Sequence, residues 1–246
     1  MIILAPFYKD TDLKFEGHEV NEMSQIFDYK KNLIRMYDTF FKFNTSYNFE
    51  ITSDQHTRLK NFNVFRSNLD NLNIMESFCV SNLEYVKSKN DKLILCGADH
   101  LVNSSVNGLF NSEFDIGIAI VGNPLRVNNT IVLVNNTNKK NVVEFFERRY
   151  DCYKRLSEND KLWFGDQLSY QKILEEEQIL NFSAKNLPIG TFHLKNLTIK
   201  LFQYGSNFVS PIKKQIPEIG VNPIIIDFKG PKRKKRAESI YKEIMK

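Results

Sequence analysis

Two carboxylates in this chain stand where apolar strands run out, and each has surroundings suited to a metal or a phosphate. Asp99 closes the run Leu93-Ile94-Leu95-Cys96-Gly97-Ala98-Asp99. Asp227 follows Ile224-Ile225-Ile226 and leads into Phe228-Lys229-Gly230-Pro231-Lys232-Arg233. Mg²⁺ and Mn²⁺ prefer hard carboxylate oxygens and commonly bridge them to substrate phosphates. Small Gly97 and Ala98 leave room for a ligand beside Asp99. Gly230 lets backbone approach an anion closely, while Lys232, Arg233 and Lys234 offer charge-assisted donors. This set points to metal-assisted chemistry on a phosphate ester, with Asp99 and Asp227 as the metal ligands. Plainer readings stand beside it: an Asp after a strand often caps a turn or a helix, and a basic run is often a solvated tail.

Other candidates follow the same logic. Trp163-Phe164-Gly165-Asp166-Gln167 sets bulky aromatics, a glycine, an acid and an amide at a helix start. That suits a wall facing a substrate, and equally an N-cap at Asp166 over a core Trp163. Asp54 ends a second strand, where it either meets a ligand or closes a turn. Phe7 and Tyr8 either stack on a base or pack in the core. Asp115 and Asn128-Asn129-Thr130 are weaker candidates, and His100 reads either as a second contact beside Asp99 or, more plainly, as a surface histidine. No glycine-rich phosphate loop, nucleophile elbow or metalloprotease helix motif occurs. His18, His56, His100 and His193 make no zinc spacing.

These residues need a scaffold, and the hydrophobic pattern supplies one. Strands are predicted over residues 1–7, 49–54, 63–65, 92–98, 115–121, 130–135 and 223–228, with an extended stretch over 191–203. Helices are predicted over 21–43, 73–89, 140–156, 167–177 and 236–245, with a short one over 105–110. Strands that alternate with helices indicate an α/β fold with a mostly parallel sheet flanked by helices. Ligands of such sheets gather beyond the carboxyl ends of the strands. Ala5, Phe7, Asp54 and Asp99 all stand at such ends.

At 246 residues, 42% hydrophobic and 26% charged, the composition is that of a globular protein with an ample core. No apolar stretch reaches the roughly 18 residues a transmembrane helix needs. The N-terminus reads as a strand rather than a signal peptide. Cys79, Cys96 and Cys152 are scattered and odd in number, which excludes a disulfide framework and suits a cytoplasmic location. The net charge of +5 is concentrated at the end: residues 229–246 carry +6 and the rest −1. That argues for one local anion-seeking segment, with possible contact to an anionic surface or nucleic acid, over a broad nucleic-acid face.

In order along the chain these features resemble the GT-A glycosyltransferases (nucleotide-diphospho-sugar transferases), and most closely their glycosyltransferase family 8-like branch. Gly97-Ala98-Asp99 sits where that family has Asp-x-Asp. Trp163-x-Gly165-Asp166-Gln167 follows, and Asp227-Phe228-Lys229-Gly230-Pro231-Lys232-Arg233 matches His-Phe-x-Gly-x-x-Lys. Gly97 replaces the first Asp, and Asp227 replaces the histidine. The resemblance implies a Rossmann-like single domain over residues 1–232 with a basic helical tail at 233–246. It implies transfer of a hexosyl or pentosyl group from a nucleoside-diphosphate sugar to an acceptor hydroxyl, with Mn²⁺ or Mg²⁺ and retention of configuration. The metal would sit on Asp99 and Asp227. The donor would meet Ala5, Phe7, Asp54, Gly230, Lys232 and Arg233, and Asp166 and Gln167 would stand by the anomeric carbon or acceptor. A glycan, a lipid-linked sugar or, as in phage DNA glycosyltransferases, a modified DNA base are the acceptors considered. A nucleotide-binding module that has lost catalysis is the reading from another class, motivated by Gly97.

Overall fold

Alternation with a period of two decides which way each strand residue points. Ile2, Leu4, Leu93, Leu95, Ile118, Ile120, Val132 and Val134 all enter one core cluster. Their neighbours Ile3, Ala5, Ile94, Cys96, Ala119, Ile131 and Leu133 enter another. Both faces of the sheet are therefore buried, as near-continuous apolar strands require. The computed structural model describes residues 1–6, 29–122, 125–162, 164–180, 188–212, 217–228 and 234–246.

Eight strands form the main sheet: β1 (Ile2–Pro6), β2 (Asn48–Ser53), β3 (Asn63–Arg66), β4 (Leu93–Cys96), β6 (Ile116–Gly122), β7 (Leu125–Val134), β8 (Gly190–His193) and β9 (Thr198–Gln203). Their order is β3-β2-β1-β4-β7-β6-β9-β8. The pairs among β3, β2, β1 and β4 are parallel, as is β6 with β9; β7 runs antiparallel to both its neighbours, and so does β8 to β9. The chain winds outward from β1 through β2 to β3 and then returns to place β4 on the other side of β1. That reversal is a topological switch point, and the carboxyl ends of β1 and β4 flank it.

Helices α2 (Ile74–Ser88), α3 (Lys139–Lys154) and α5 (Gly165–Glu176) cover one face, and α1 (Tyr29–Phe43) covers the other. The Asn73 side chain caps α2 by accepting from the Glu76 amide at 2.9 Å. A short helix, α4 (Glu158–Leu162), precedes α5. The described part of the first predicted helix is α1; residues 21–28 lie outside the described residues. It buries Leu33, Met36 and Phe40, spaced as one helix face demands.

One feature departs from the pattern reading. The strand predicted over 92–98 stops at Cys96, and a separate strand, β5 (His100–Val102), begins directly after Asp99. β5 joins β10 (Val209–Pro211) and β11 (Ile225–Asp227) in a second, three-stranded sheet, where β11 is antiparallel to β5 and parallel to β10. The last apolar run thus belongs to this small sheet rather than the main one. α1 and the residue after it anchor this region: Thr39 Oγ1 accepts from the Val102 amide of β5 at 3.1 Å, and Asn44 Oδ1 accepts from the Val106 amide, just past β5, at 2.9 Å. The basic terminal segment forms α6 (Lys234–Met245), whose Ala237, Ile240 and Ile244 pack with Leu101, Ile226 and Phe228. Among the described residues no helix is long and apolar enough to cross a membrane.

Candidate functional site

The small sheet has one consequence for chemistry. In its antiparallel ladder Asp227 stands opposite His100, and directly opposed residues project on the same face. Asp99, immediately before His100, completes the group. One ligand atom from each of Asp99, His100 and Asp227 lies within 4.8 Å of the others. All three are buried, at 8%, 0% and 1% exposure. The two distant carboxylates singled out in the sequence are thus neighbours, just past the end of β4 at the switch point.

His100 was read from sequence as a surface residue, and the structure corrects this: it is wholly buried. Its Nδ1 lies 2.7 Å from the Gly97 carbonyl oxygen and 3.5 Å from Asp99 Oδ1. With an N–H donated from Nδ1 to that carbonyl, the imidazole leaves Nε2 as a bare lone pair, and among the described residues Nε2 is buried without a hydrogen-bond partner. On the other side, the Tyr204 hydroxyl donates to Asp227 Oδ2 at 2.6 Å and fixes that carboxylate. Gly97 now has a steric reason. A Cβ there would sit 2.7 Å from Asp99 Oδ1 and 3.3 Å from His100 Cε1, so Asp99 swings into space that any side chain at 97 would fill.

Two carboxylates and an imidazole crowded out of water are costly unless a cation joins them. The donor set therefore fits a divalent metal. Carboxylates suit Mg²⁺ and Mn²⁺, and the imidazole tilts the set toward the softer of the two, Mn²⁺. Three buried free thiols offer no rival chemistry; burial pushes Cys79 up to about 12 and Cys96 further, so both stay protonated.

Asp166 lies in the first turn of α5, whose N-cap position is Phe164 rather than Asp166, and Gly165 before it admits the close approach of Tyr153, whose Cε2 would lie 2.8 Å from an added Cβ. Asn129 donates to the Asp166 carboxylate through Nδ2. Asn129 lies in β7 two residues before Ile131, the partner of Cys96 at the end of β4. An antiparallel strand enters the ladder where its neighbour leaves, so Asn129 and the Asp166 it holds stand on the same sheet edge as Asp99. The register of β7 against β6 jumps from Val132 to Asn128 across Ile118 and Ala119, an irregularity of the kind that re-aims side chains near sites. Gln167 is half-buried beside Asp166. Phe164 is 46% exposed with a left-handed φ of 66°, a conformation that costs a non-glycine residue about 1 kcal/mol or more.

The remaining candidates divide. The Ala5 side chain is wholly buried and packs in the cluster under α1. Asp54 closes a turn, accepting from the amides of His56 and Thr57 at 2.7 and 2.6 Å and from the Thr57 hydroxyl. Partial burial works against ionisation, yet these bonds from Thr57 and His56 hold the Asp54 carboxyl below its ordinary value. A lowered folded value means stability that is present above the unfolded value and lost as pH falls through the folded one. Side-chain NMR titration should therefore find Asp54 ionised well after exposed aspartates protonate, and Asp54→Asn should flatten the acid limb of the stability curve. Phe7, Tyr8, Trp163, Gly230, Lys232 and Arg233 lie outside the described residues.

Sequence reasoning missed one further residue. Arg149 occupies the buried stripe of α3 between Phe145, Phe146, Cys152 and Tyr153, and is itself 1% exposed. Its Nη2 donates to the Asp166 carbonyl at 3.2 Å and its Nε to Ser169 Oγ at 3.1 Å, and its guanidinium lies 3.9 Å from the centre of the Tyr170 ring. A cation on the i, i+3, i+4 stripe of an otherwise apolar face was the available signal.

Two solved structures are similar to this chain over nearly its whole length. The galactosyltransferase LgtC, in complex with donor and acceptor sugar analogs, has a TM-score of 0.57 at 10% identity, covering 100% of this chain and 97% of its own. A glycosyltransferase involved in glycosylation of the major capsid of PBCV-1 has a TM-score of 0.51 at 10% identity, with 97% and 98% covered. No protein-family profile matches the sequence, and no curated protein matches it. The likeness is one of architecture: this chain has the GT-A glycosyltransferase fold, a mixed and mostly parallel sheet flanked by helices.

Proposed function

We propose that this protein is a glycosyltransferase that moves a sugar from a nucleoside-diphosphate sugar to an acceptor hydroxyl, with Mn²⁺ or Mg²⁺ and with retention of configuration. The observation that carries the reading is the buried group of Asp99, His100 and Asp227 at the switch-point edge of a GT-A fold. In this reading all three residues hold the metal. The family's two aspartates and one histidine are then kept as a set, with the histidine moved from the terminal strand to position 100. A cation bound there supplies positive charge against the departing nucleoside diphosphate. Tyr204 would orient Asp227 by holding Oδ2. Asp166, fixed by Asn129, presents a carboxylate beside the reacting sugar, and the Gln167 amide is assigned to the sugar or acceptor hydroxyls. Gly230, Lys232 and Arg233 are assigned to the diphosphate and Phe7 to the base.

A thermal-shift panel of nucleoside diphosphates and their sugar conjugates tests this. Binding at about 100 times Kd stabilises by about 2.7 kcal/mol, so for a chain of this size the matching nucleotide with Mn²⁺ should raise Tm by roughly 5–10 °C. EDTA should remove the effect. A panel in which no nucleotide responds, with or without a divalent cation, overturns the assignment.

A further inference from the structure

The opposite edge of the sheet carries a second site. β2 and β3 begin at Asn48 and Asn63, and β2 starts level with Ile2 of β1, the end remote from Asp99. A cavity of about 440 Å³ opens there between the end of α1 and the starts of these strands, within the roughly 300–1,000 Å³ typical of small-molecule sites. Its wall is aromatic. Tyr37 is the hub, with ring centres 4.7 Å from Phe41, 5.3 Å from Phe49 and 5.2 Å from Phe62, the last at 90°. Its rim is made of amides and a hydroxyl: Asn48, Asn61, Asn63 and Thr45. All four are exposed.

The chemistry of the lining selects a ligand class. Among the described residues no lysine, arginine, aspartate or glutamate lines the cavity, so an anion such as a nucleotide finds no counter-charge there. An apolar ligand is equally unsuited, because the mouth is ringed by amides that would lose water without replacement. Each asparagine amide offers both donors and an acceptor, the combination that matches neighbouring hydroxyls on a sugar ring. The aromatic wall offers the apolar C–H face of that ring something to lie against.

We propose that this cavity binds a neutral oligosaccharide at a site separate from the metal centre. The use of that site to hold a glycan acceptor rests on the transferase reading; the binding itself does not. The two sites stand at opposite ends of the parallel strands, so one chain could be gripped here while its terminus reaches the other edge only if it is several sugars long. Short and long acceptors should then differ in KM.

The test is two-dimensional amide NMR of the metal-free protein with maltotriose, cellotriose, chitotriose and mannotriose, each taken to about 10 mM, well above a millimolar Kd. At least one of the four should shift amides in 45–49 and 61–63. Thr45→Trp, at an exposed position on the rim, should fill the mouth and weaken that binding at least tenfold, and Asn63→Ala should weaken it several-fold. Asp227→Asn should leave it unchanged, which separates this site from the metal centre. No shift with any of the four sugars, shifts that survive Thr45→Trp, or displacement by a nucleoside monophosphate each overturn the proposal.

Discussion

Asp227→Asn should remove the Mn²⁺-dependent stabilisation of this protein and lower sugar transfer at least about 100-fold, while the metal-free protein keeps or gains stability. The two halves of this expectation have one cause. Asp227 is 1% exposed and stands beside a second carboxylate and an imidazole. Without a cation, neutralising one of the buried charges relieves repulsion and desolvation. Asparagine retains an acceptor for the Tyr204 hydroxyl. With a cation, the same change removes a ligand. Residues that only orient ligands cost about 10–100-fold in metal affinity or activity when lost, so a ligand itself should cost at least the upper end. Tyr204→Phe should fall in the lower part of that range. Gly97→Ala should also weaken metal binding, because its new Cβ meets Asp99 Oδ1 at 2.7 Å and displaces it. Calorimetric Mn²⁺ titration and thermal melts of the same variants give both halves. An Asp227→Asn protein that is less stable without metal, yet still takes up Mn²⁺ normally, would make the cluster a structural feature.

Much of the main sheet was legible because its strands carry strong local signals. Ile2–Pro6 and Leu93–Cys96 are short apolar runs buried on both faces, and α2 announces itself with Asn73 as its cap. In the second sheet β11 carries such a signal in Ile224-Ile225-Ile226, but the three-residue strands β5 and β10 do not. Three residues hold too little periodicity to distinguish, and β5 pairs with a segment more than a hundred residues away. Such pairings are set by tertiary packing rather than by local propensity.

The site was legible only where a strand end and a charge coincided. Asp99 and Asp227 met that condition. His100 did not, because a lone histidine after an acid reads as surface. The signal that argued otherwise was downstream: Leu101 and Val102 resume the apolar run, so residues 100–102 had to enter a core rather than a loop. Ala5 is a different case: it stands at a strand end, and the alternation of β1 sends its side chain to the α1 face with Ile3. Asp54 shows the limit of the strand-end rule, since nearby donors in His56 and Thr57 engage both its carboxylate oxygens.

Arg149 yields the other large effect, and its two natural substitutions should separate in opposite directions. Arg149→Ala should destabilise by about 3–5 kcal/mol, since it empties a large volume in a packed face and strips hydrogen bonds from Ser169 and the Asp166 carbonyl. Arg149→Met refills the volume with apolar atoms. Among the described residues Nη1 has no hydrogen-bond partner, so part of the desolvation of the buried cation is not offset. Replacing buried charges by apolar residues of similar size is often neutral or stabilising by about 1–4 kcal/mol, and the methionine variant should fold at least as well as the wild type. What it should lose is the hold on the first turn of α5. Nη2 binds the Asp166 carbonyl and Nε binds Ser169, so the guanidinium pins the backbone that presents Asp166 and Gln167 to the sheet edge. Amide exchange in residues 166–169 should accelerate in Arg149→Met, and kcat should drop roughly 10–100-fold with KM for the donor little changed, because a misplaced group costs rate more than binding. Mn²⁺ affinity should be untouched, as the metal group belongs to the other sheet. If Arg149→Met keeps both native exchange at 166–169 and native kcat, the arginine is packing alone and Asp166 is held by Asn129 without it.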